Sequence, residues 1–367
     1  MDELGGSQEA ALGPDPIRAR ERVDARHDAR RAAVPVIRRD SLRFHQGSSP
    51  GIFVAPIVEP STTVAGVLAA SIVHLRPGAT TPRQRQAERV VHVLSGRGRS
   101  EFEDDRFEWE PGDSFHIKAG IWNRHSSIGP QPANLLIGYV DPLLEYMSPM
   151  GTDVKGDEFS DVPEDFEPEH PFGLGRQAVD LVGGTKWMST VHKRRLDRRL
   201  ALLAESREAR SLVKWSELRV ERSEHRGDFK VALVNPALGF NTRVLQMDIH
   251  QLPPSSATET HRHEEAIVYV LRGHGTSVID DRQYEWRAGD CFHIQPGVWH
   301  RHRNSSPTET SLHIAIAPLS LIEHLGPTNL ERTEGDSDGG QPEEGYVPAF
   351  PWEFEVDTAW PPTRAVV

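Results

Sequence analysis

One segment of the 367-residue chain carries imidazoles at a spacing suited to a metal ion. It reads Thr260-His261-Arg262-His263-Glu264-Glu265-Ala266 and runs into an apolar stretch over 267–271. In a strand, residues i and i+2 share a face, so His261 and His263 point the same way. Further on, Gly289-Asp290 and Gln295-Pro296-Gly297 precede Trp299-His300-Arg301-His302-Arg303-Asn304. A tight turn at Pro296-Gly297 returns the chain so that His300 faces the same pocket. Three neutral imidazoles at about 2.0–2.1 Å form one face of a coordination sphere and leave positions open for substrate, water or O2. An isolated His-x-His pair carries little meaning; here the expectation rests on His300 joining it.

The elements that must hold these residues are visible in a duplication. Residues 88–125 align with 265–302 without a gap, at a constant offset of 177. Val91-His92-Val93-Leu94-Ser95-Gly96-Arg97-Gly98 lies opposite Val268-Tyr269-Val270-Leu271-Arg272-Gly273-His274-Gly275. Glu108-Trp109-Glu110-Pro111-Gly112-Asp113-Ser114-Phe115-His116-Ile117 lies opposite Glu285-Trp286-Arg287-Ala288-Gly289-Asp290-Cys291-Phe292-His293-Ile294. Upstream the match loosens to an offset of 176, with Gly51-Ile52-Phe53 opposite Gly227-Asp228-Phe229. The chain is therefore one β unit used twice. Short runs rich in Val, Ile, Phe and Leu, over 51–58, 67–75, 89–94, 98–102 and 114–117, alternate with Gly, Pro and Asp clusters. That texture is the signature of an all-β sandwich or barrel. At the positions of His261, His263 and His300 the first unit has Gln84, Gln86 and Asn123, while Trp122 and His125 match Trp299 and His302. Carboxamides are poor ligands for a divalent transition metal, so the first unit reads as a barrel that has lost its metal.

These motifs resemble the cupin superfamily. Its first motif sets a His-x-His pair before a strand ending in Gly; its second sets Gly-Asp, a Pro/Gly turn, and His followed by Asn, as His300 and Asn304 stand here. The resemblance covers both repeats and implies an all-β bicupin. That fold has two antiparallel β-barrels of the double-stranded β-helix type, with a few helices in the linker. Many cupins carry a fourth ligand, a Glu, at the place of Ala266. A three-His site with Ala there, followed by Trp299-His300-Arg301-His302, looks like the gentisate and salicylate ring-cleaving dioxygenases. By that resemblance His300 is a ligand and His302 a catalytic residue facing bound substrate. Because His125 persists in the first unit without ligands beside it, a structural hydrogen-bonding role for His302 stands as the alternative. Those enzymes usually carry the metal in the N-terminal cupin, and they have an Arg in the strand that here reads Ala266-Ile267-Val268-Tyr269. Both departures argue against gentisate itself as substrate.

Length and composition bound the rest. At roughly 150 residues per domain the length suits about two domains. The expected organisation is a polar, disordered segment over 1–35, a metal-free cupin over 36–150 and a linker over 151–212. A metal-binding cupin over 213–327 and a tail over 328–367 complete it. An amphipathic helix is expected over 191–213, carried by Leu196, Leu200, Leu203 and Leu212. A net charge of −12 argues against a general nucleic-acid binder. The single cysteine, Cys291, excludes an intrachain disulfide framework and suits a reducing compartment. Neither a secretory signal nor an apolar run long enough to span a membrane stands out, so the expectation is cytoplasmic, without a membrane partner. His116 and His293, Trp122 and Trp299, and Cys291 read as structural, the tryptophans as pocket walls. Glu264 and Glu265 read as a general base, as partners of the ligands, or as solvated residues.

The chemistry expected is that of a mononuclear non-haem Fe(II) dioxygenase. It would act with O2 on a hydroxylated aromatic or related small acid, one metal per chain being held by His261, His263 and His300. Zn, Mn, Ni or Cu would also accept this donor set. Alternatives are a non-oxidative cupin lyase, isomerase or decarboxylase, or a cupin that binds a small molecule without turnover. A homo-oligomer is compatible with either.

Overall fold

A computed structural model describes residues 35–47, 49–59, 66–103, 105–147, 153–155, 190–222, 228–326 and 331–332. The expected N-terminal disorder, most of the linker and nearly all of the tail lie outside these residues. The described chain is dominated by antiparallel strands arranged as two barrels of the same design. In each, a seven-stranded sheet faces a five-stranded one.

The first large sheet runs, in spatial order, Leu212–Val213, Ser114–Ile117, Arg89–Ser95, Ala133–Tyr139, Ala69–Leu75, Ile52–Val58, His45–Gln46. The second runs Val36–Ile37, Cys291–Ile294, Ala266–Arg272, Ser311–Ala317, Gln246–Leu252, Phe229–Val234, Glu221–Arg222. The small sheets repeat the correspondence. One holds Arg83–Arg85, Asn123–Ser127 and Gly98–Phe102 between its edges; the other holds His261–Arg262, His300–Asn304 and His274–Ile279. Gly98 and Gly275 show why the repeated Gly-x-Gly is kept. A Cβ at Gly98 would lie 2.0 Å from the Trp109 ring, and one at Gly275 would lie 2.4 Å from that of Trp286.

The first strand of each repeat is given to the other barrel. Val36–Ile37 pairs with Phe292 and Cys291, and Leu212–Val213 pairs with Phe115 and Ser114. The repeated Gly-Asp motif secures these loans. Asp290 Oδ1 accepts the Arg39 N–H at 2.9 Å and its Oδ2 takes the Arg38 guanidinium at 3.0 Å. Asp113 Oδ1 accepts the Trp215 N–H at 2.9 Å and its Oδ2 takes Lys214 Nζ at 2.8 Å. A domain drawn from residue 36 thus begins with a strand that lies in the other barrel's sheet. The expected helix over 191–213 is corrected in the same way. The helix is Thr190–Glu208, with Leu203 buried and Leu200 exposed, and Leu212 sits in the lent strand. An open sheet edge supplies backbone partners that a longer helix would forgo.

The two barrels also grip each other through buried carboxylates. Glu88 accepts N–H groups of Arg243 (2.7 Å), Val244 (3.2 Å) and Leu245 (2.8 Å), with His116 at 3.8 Å. Its counterpart Glu265 accepts those of Gly66 (2.9 Å) and Val67 (2.7 Å) and pairs with His293 at 2.8 Å. Neither solvation nor base catalysis describes Glu265, which is 2% exposed; it is an interlock between the barrels. None of the three readings offered by the sequence includes this role, because the partner backbone belongs to the other repeat. The largest apolar cluster also runs across the junction, from Phe53, Ile57 and Ile72 to Val231, Ile314 and Ile316.

Candidate metal centre

His261 and His300 are directly opposite each other on adjacent antiparallel strands. His263 follows two residues later, and its carbonyl accepts the Gly297 N–H at 2.7 Å. That bond ties the Pro296-Gly297 turn, with Gly297 at φ +75°, to the His-x-His segment, so the turn does return His300 to the pair. One ring nitrogen from each of the three lies within 4.8 Å of the other two. The ring centroids stand 4.3–5.4 Å apart. His261 and His300 are buried and His263 is half-buried.

The donor set fits a divalent metal. His261 Nδ1 lies 2.7 Å from the Glu259 carbonyl, His263 Nδ1 2.7 Å from that of Glu264, and His300 Nδ1 2.8 Å from that of Val298. A carbonyl only accepts, so each Nδ1 carries the proton and each Nε2 carries the lone pair. This is how metal-binding imidazoles are held in one tautomer and orientation. Burial, together with the neighbouring His261, His263 and His302, pushes His300 well below the ordinary imidazole range. A neutral ring is the form that coordinates.

His302 lines the same cavity from the next inward position of the His300 strand. Its Nδ1 is 2.6 Å from Ser277 Oγ and its N–H donates to Thr258 Oγ1 at 2.9 Å. Burial first, then His313 and His250, push it well below the ordinary range. Ala266 is buried and lines the cavity, so no carboxylate enters from that position. Glu264 lines the cavity and is half-buried. Trp299 is not among the lining residues. Strand alternation turns it away from His300, and it stacks on Arg262 at 4.8 Å, which corrects its reading as a pocket wall. Cys291 is buried in a strand, its thiol pushed up first by burial and then by Asp290.

The first barrel holds two of its three amides, Gln86 and Asn123, in one network with His125. Gln86 Nε2 donates to Asn123 Oδ1 at 3.3 Å, Asn123 Nδ2 donates to the Ile121 carbonyl at 2.9 Å, and His125 Nε2 is 3.1 Å from Asn123 Oδ1. Gln84 is opposite Asn123 in the ladder, as His261 is opposite His300. His125 keeps the same hydroxyl partner as His302, with Ser100 Oγ 2.8 Å from its Nδ1.

The cavity also has a polar wall that the motifs did not reveal, made of Asp228, Lys230, Asp248, His250 and His313 on the large sheet. His250 Nδ1 is 2.9 Å from Asp228 Oδ2. The signal was present: in Gln246-Met247-Asp248-Ile249-His250-Gln251-Leu252 the residues 246, 248 and 250 are polar on one face. The cavity is about 180 Å³.

Two small β-barrels in tandem, one with three converging imidazoles in its cavity, define the class of protein. Residues 71–139 and 248–316 each match the cupin domain family. The chain thus holds two cupin domains, one in each barrel. It is 23% identical to 5-aminosalicylate 1,2-dioxygenase from Comamonas sp over 281 residues, which are 72% of this chain and 70% of that protein. Salicylate 1,2-dioxygenase from Pseudoaminobacter salicylatoxidans, seen in adducts with gentisate, superposes with a TM-score of 0.57 at 17% identity, over 89% of this chain and 96% of the other. Oxalate decarboxylase from Lactobacillus farciminis, in a formate complex, superposes with 0.54 at 14% identity, over 78% and 86%. At these identities the solved structures show a shared fold. No helix among the described residues is long and apolar enough to cross a membrane.

Proposed function

We propose that His261, His263 and His300 hold one divalent metal per chain, Fe(II) in the first instance, and that the protein is a ring-cleaving dioxygenase. Its substrate would be a hydroxylated aromatic or related small acid. The observation that carries this reading is the trio of Nδ1–carbonyl bonds, which aims three neutral donors at one point while Ala266 adds no carboxylate. When bound, the metal supplies open positions at which a chelating substrate and O2 meet and exchange electron density. The chain's own part is positioning. The strand pair fixes His261 against His300, and the turn at Gly297 fixes His263. His302, oriented by Ser277, offers a neutral ring nitrogen to the substrate. Val268 and Leu252 give the ring an apolar bed. The sequence similarity to 5-aminosalicylate 1,2-dioxygenase supports the reaction class.

A second reading is a non-oxidative decarboxylase or other lyase using the same site, supported by the likeness to oxalate decarboxylase, whose Bacillus subtilis form has Mn(II) centres. Anaerobic titration of Fe(II)-loaded protein with hydroxybenzoates and catechols, followed by air, separates the two. A shift in the metal spectrum and then O2 uptake are expected. Product formed without O2 would install the second reading, and no spectral response with no O2 uptake would remove the first.

A further inference from the structure

The polar wall of the cavity is not something the barrel fold requires. In the second barrel the ladder sets Lys230, His250 and His313 in one row across three strands. The same row in the first barrel is Val54, Val73 and Leu135. Asp228 immediately precedes its strand, at the place of Ile52 in the first repeat, and Ile52 and Leu135 belong to that barrel's apolar interior. Four positions that are apolar in the barrel without imidazole ligands are thus Asp, Lys, His and His in the barrel with them. Burying such groups costs free energy unless they are paired. The Asp228 side chain is fully buried, and it holds His250 at 2.9 Å.

The charge on this wall has a sign. Among the described residues, the lining includes Asp228, Asp248 and Glu264 against a single lysine, Lys230, and no arginine. Asp228 is hydrogen-bonded to His250, and the three carboxylates outnumber the one lysine. Burial pushes Asp248 up to about 6, with Lys230 opposing the rise, so it is ionised at pH 7.5. His313, pushed down by burial to about 3, adds no positive charge, and its Nε2 has no hydrogen-bond partner among the described residues. A substrate carboxylate pressed against this wall would meet like charge, and no described lining residue offers it a guanidinium fork.

The triad lies on the small sheet and the polar wall on the large one, with the cavity between them. Facing sheets stand roughly 10 Å apart. A single ring with a short substituent spans that gap, its chelating oxygens at the imidazoles and its substituent at the wall. Resting on the metal site proposed above, we propose that Asp228, Asp248 and His250 receive the cationic or hydrogen-bond-donating end of the substrate. The substrate class is then an amine-bearing catechol or aminophenol rather than an aromatic acid.

The test holds the chelating end constant and varies the tail. Catechol, 3,4-dihydroxybenzylamine and 3,4-dihydroxybenzoate are titrated anaerobically at pH 7.5 into the protein with the metal it carries on purification, by calorimetry. The amine is expected to bind about tenfold or more tighter than the carboxylate, as one charge-assisted contact provides. Asp248→Asn and Asp228→Asn should each shrink that ratio to within about threefold, with catechol changing less than the amine. Lys230→Met should widen it, an opposite sign that loss of folding does not mimic. Equal or tighter binding of the carboxylate, a preference that survives both Asp substitutions, or no binding of any probe overturns the inference. Oxygen uptake is read separately. An amine preference without uptake removes the dioxygenase reading and leaves this one standing, whereas tight binding and uptake with the dihydroxybenzoate alone do the reverse.

Discussion

The two barrels agree at the residues that lock the fold together and differ at most of those that face the cavity. Asp113 and Asp290, and Glu88 and Glu265, keep their types and do the same work in both, and Trp109 and Trp286 keep their packing on Gly98 and Gly275. The inward set differs. Gln84, Gln86 and Asn123 replace three imidazoles, and Val54, Val73 and Leu135 replace a lysine and two histidines. Ser100–His125 and Ser277–His302 form an inward pair kept on both sides. Fold and chemistry are therefore carried by separable residues, and the first barrel shows which of them the barrel itself needs.

The largest effect that tests this separation is loss of the metal. His261→Ala, His263→Ala and His300→Ala should each empty the site and abolish metal-dependent activity, because each removes a direct bond. Gln84→Ala, Gln86→Ala and Asn123→Ala should leave close to one metal per chain, measured by elemental analysis. Two tight metals per chain, or one in the first barrel, would break the comparison.

Next come the interlocks, where the barrels should respond alike. Glu88→Ala and Glu265→Ala each strip a buried charge from its donors and should cost about 3–5 kcal/mol in denaturant unfolding. Glu88, with three N–H groups to Glu265's two, should stand at the upper end. A loss under 1 kcal/mol would show that the apolar junction alone holds the barrels together.

The same carboxylates predict an acid dependence. Burial by itself raises both. For Glu88 it is outweighed by His116 and the Leu245 and Arg243 N–H groups, and for Glu265 by His293 and the Gly66 and Val67 N–H groups. Both therefore titrate below the ordinary carboxylate value when folded. Their stabilisation is present above the unfolded value, roughly 4.3, and is lost as pH falls through the folded one. Melting temperature should drop on acidification below that range, and Glu265→Gln should flatten the drop; an unchanged pH profile would count against the assignment.

The smallest effect distinguishes the shared histidines. His302→Ala should retain the metal with at most about a 10–100-fold loss of affinity while lowering turnover. His125→Ala should lower stability and leave turnover alone. Should His302→Ala empty the site while His300→Ala leaves it filled, the two roles are reversed.

Much of this was legible in the sequence because it repeats. The 177-residue offset exposed the strands, the Gly-Asp motifs and the three substitutions of imidazole by amide. The His-x-His spacing put His261 and His263 on one side because strand geometry has a period of two. What only the tertiary structure decided is whatever depends on the other repeat or on another strand. Glu265 and Glu88 bind backbone in the opposite barrel, and Val36–Ile37 and Leu212–Val213 complete sheets to which their own repeats do not belong. The Asp228–His250 wall arises where two strands from one sheet come into register across the cavity from the histidines. Local periodicity tells which face a residue is on; the pairing of distant strands decides what that face meets.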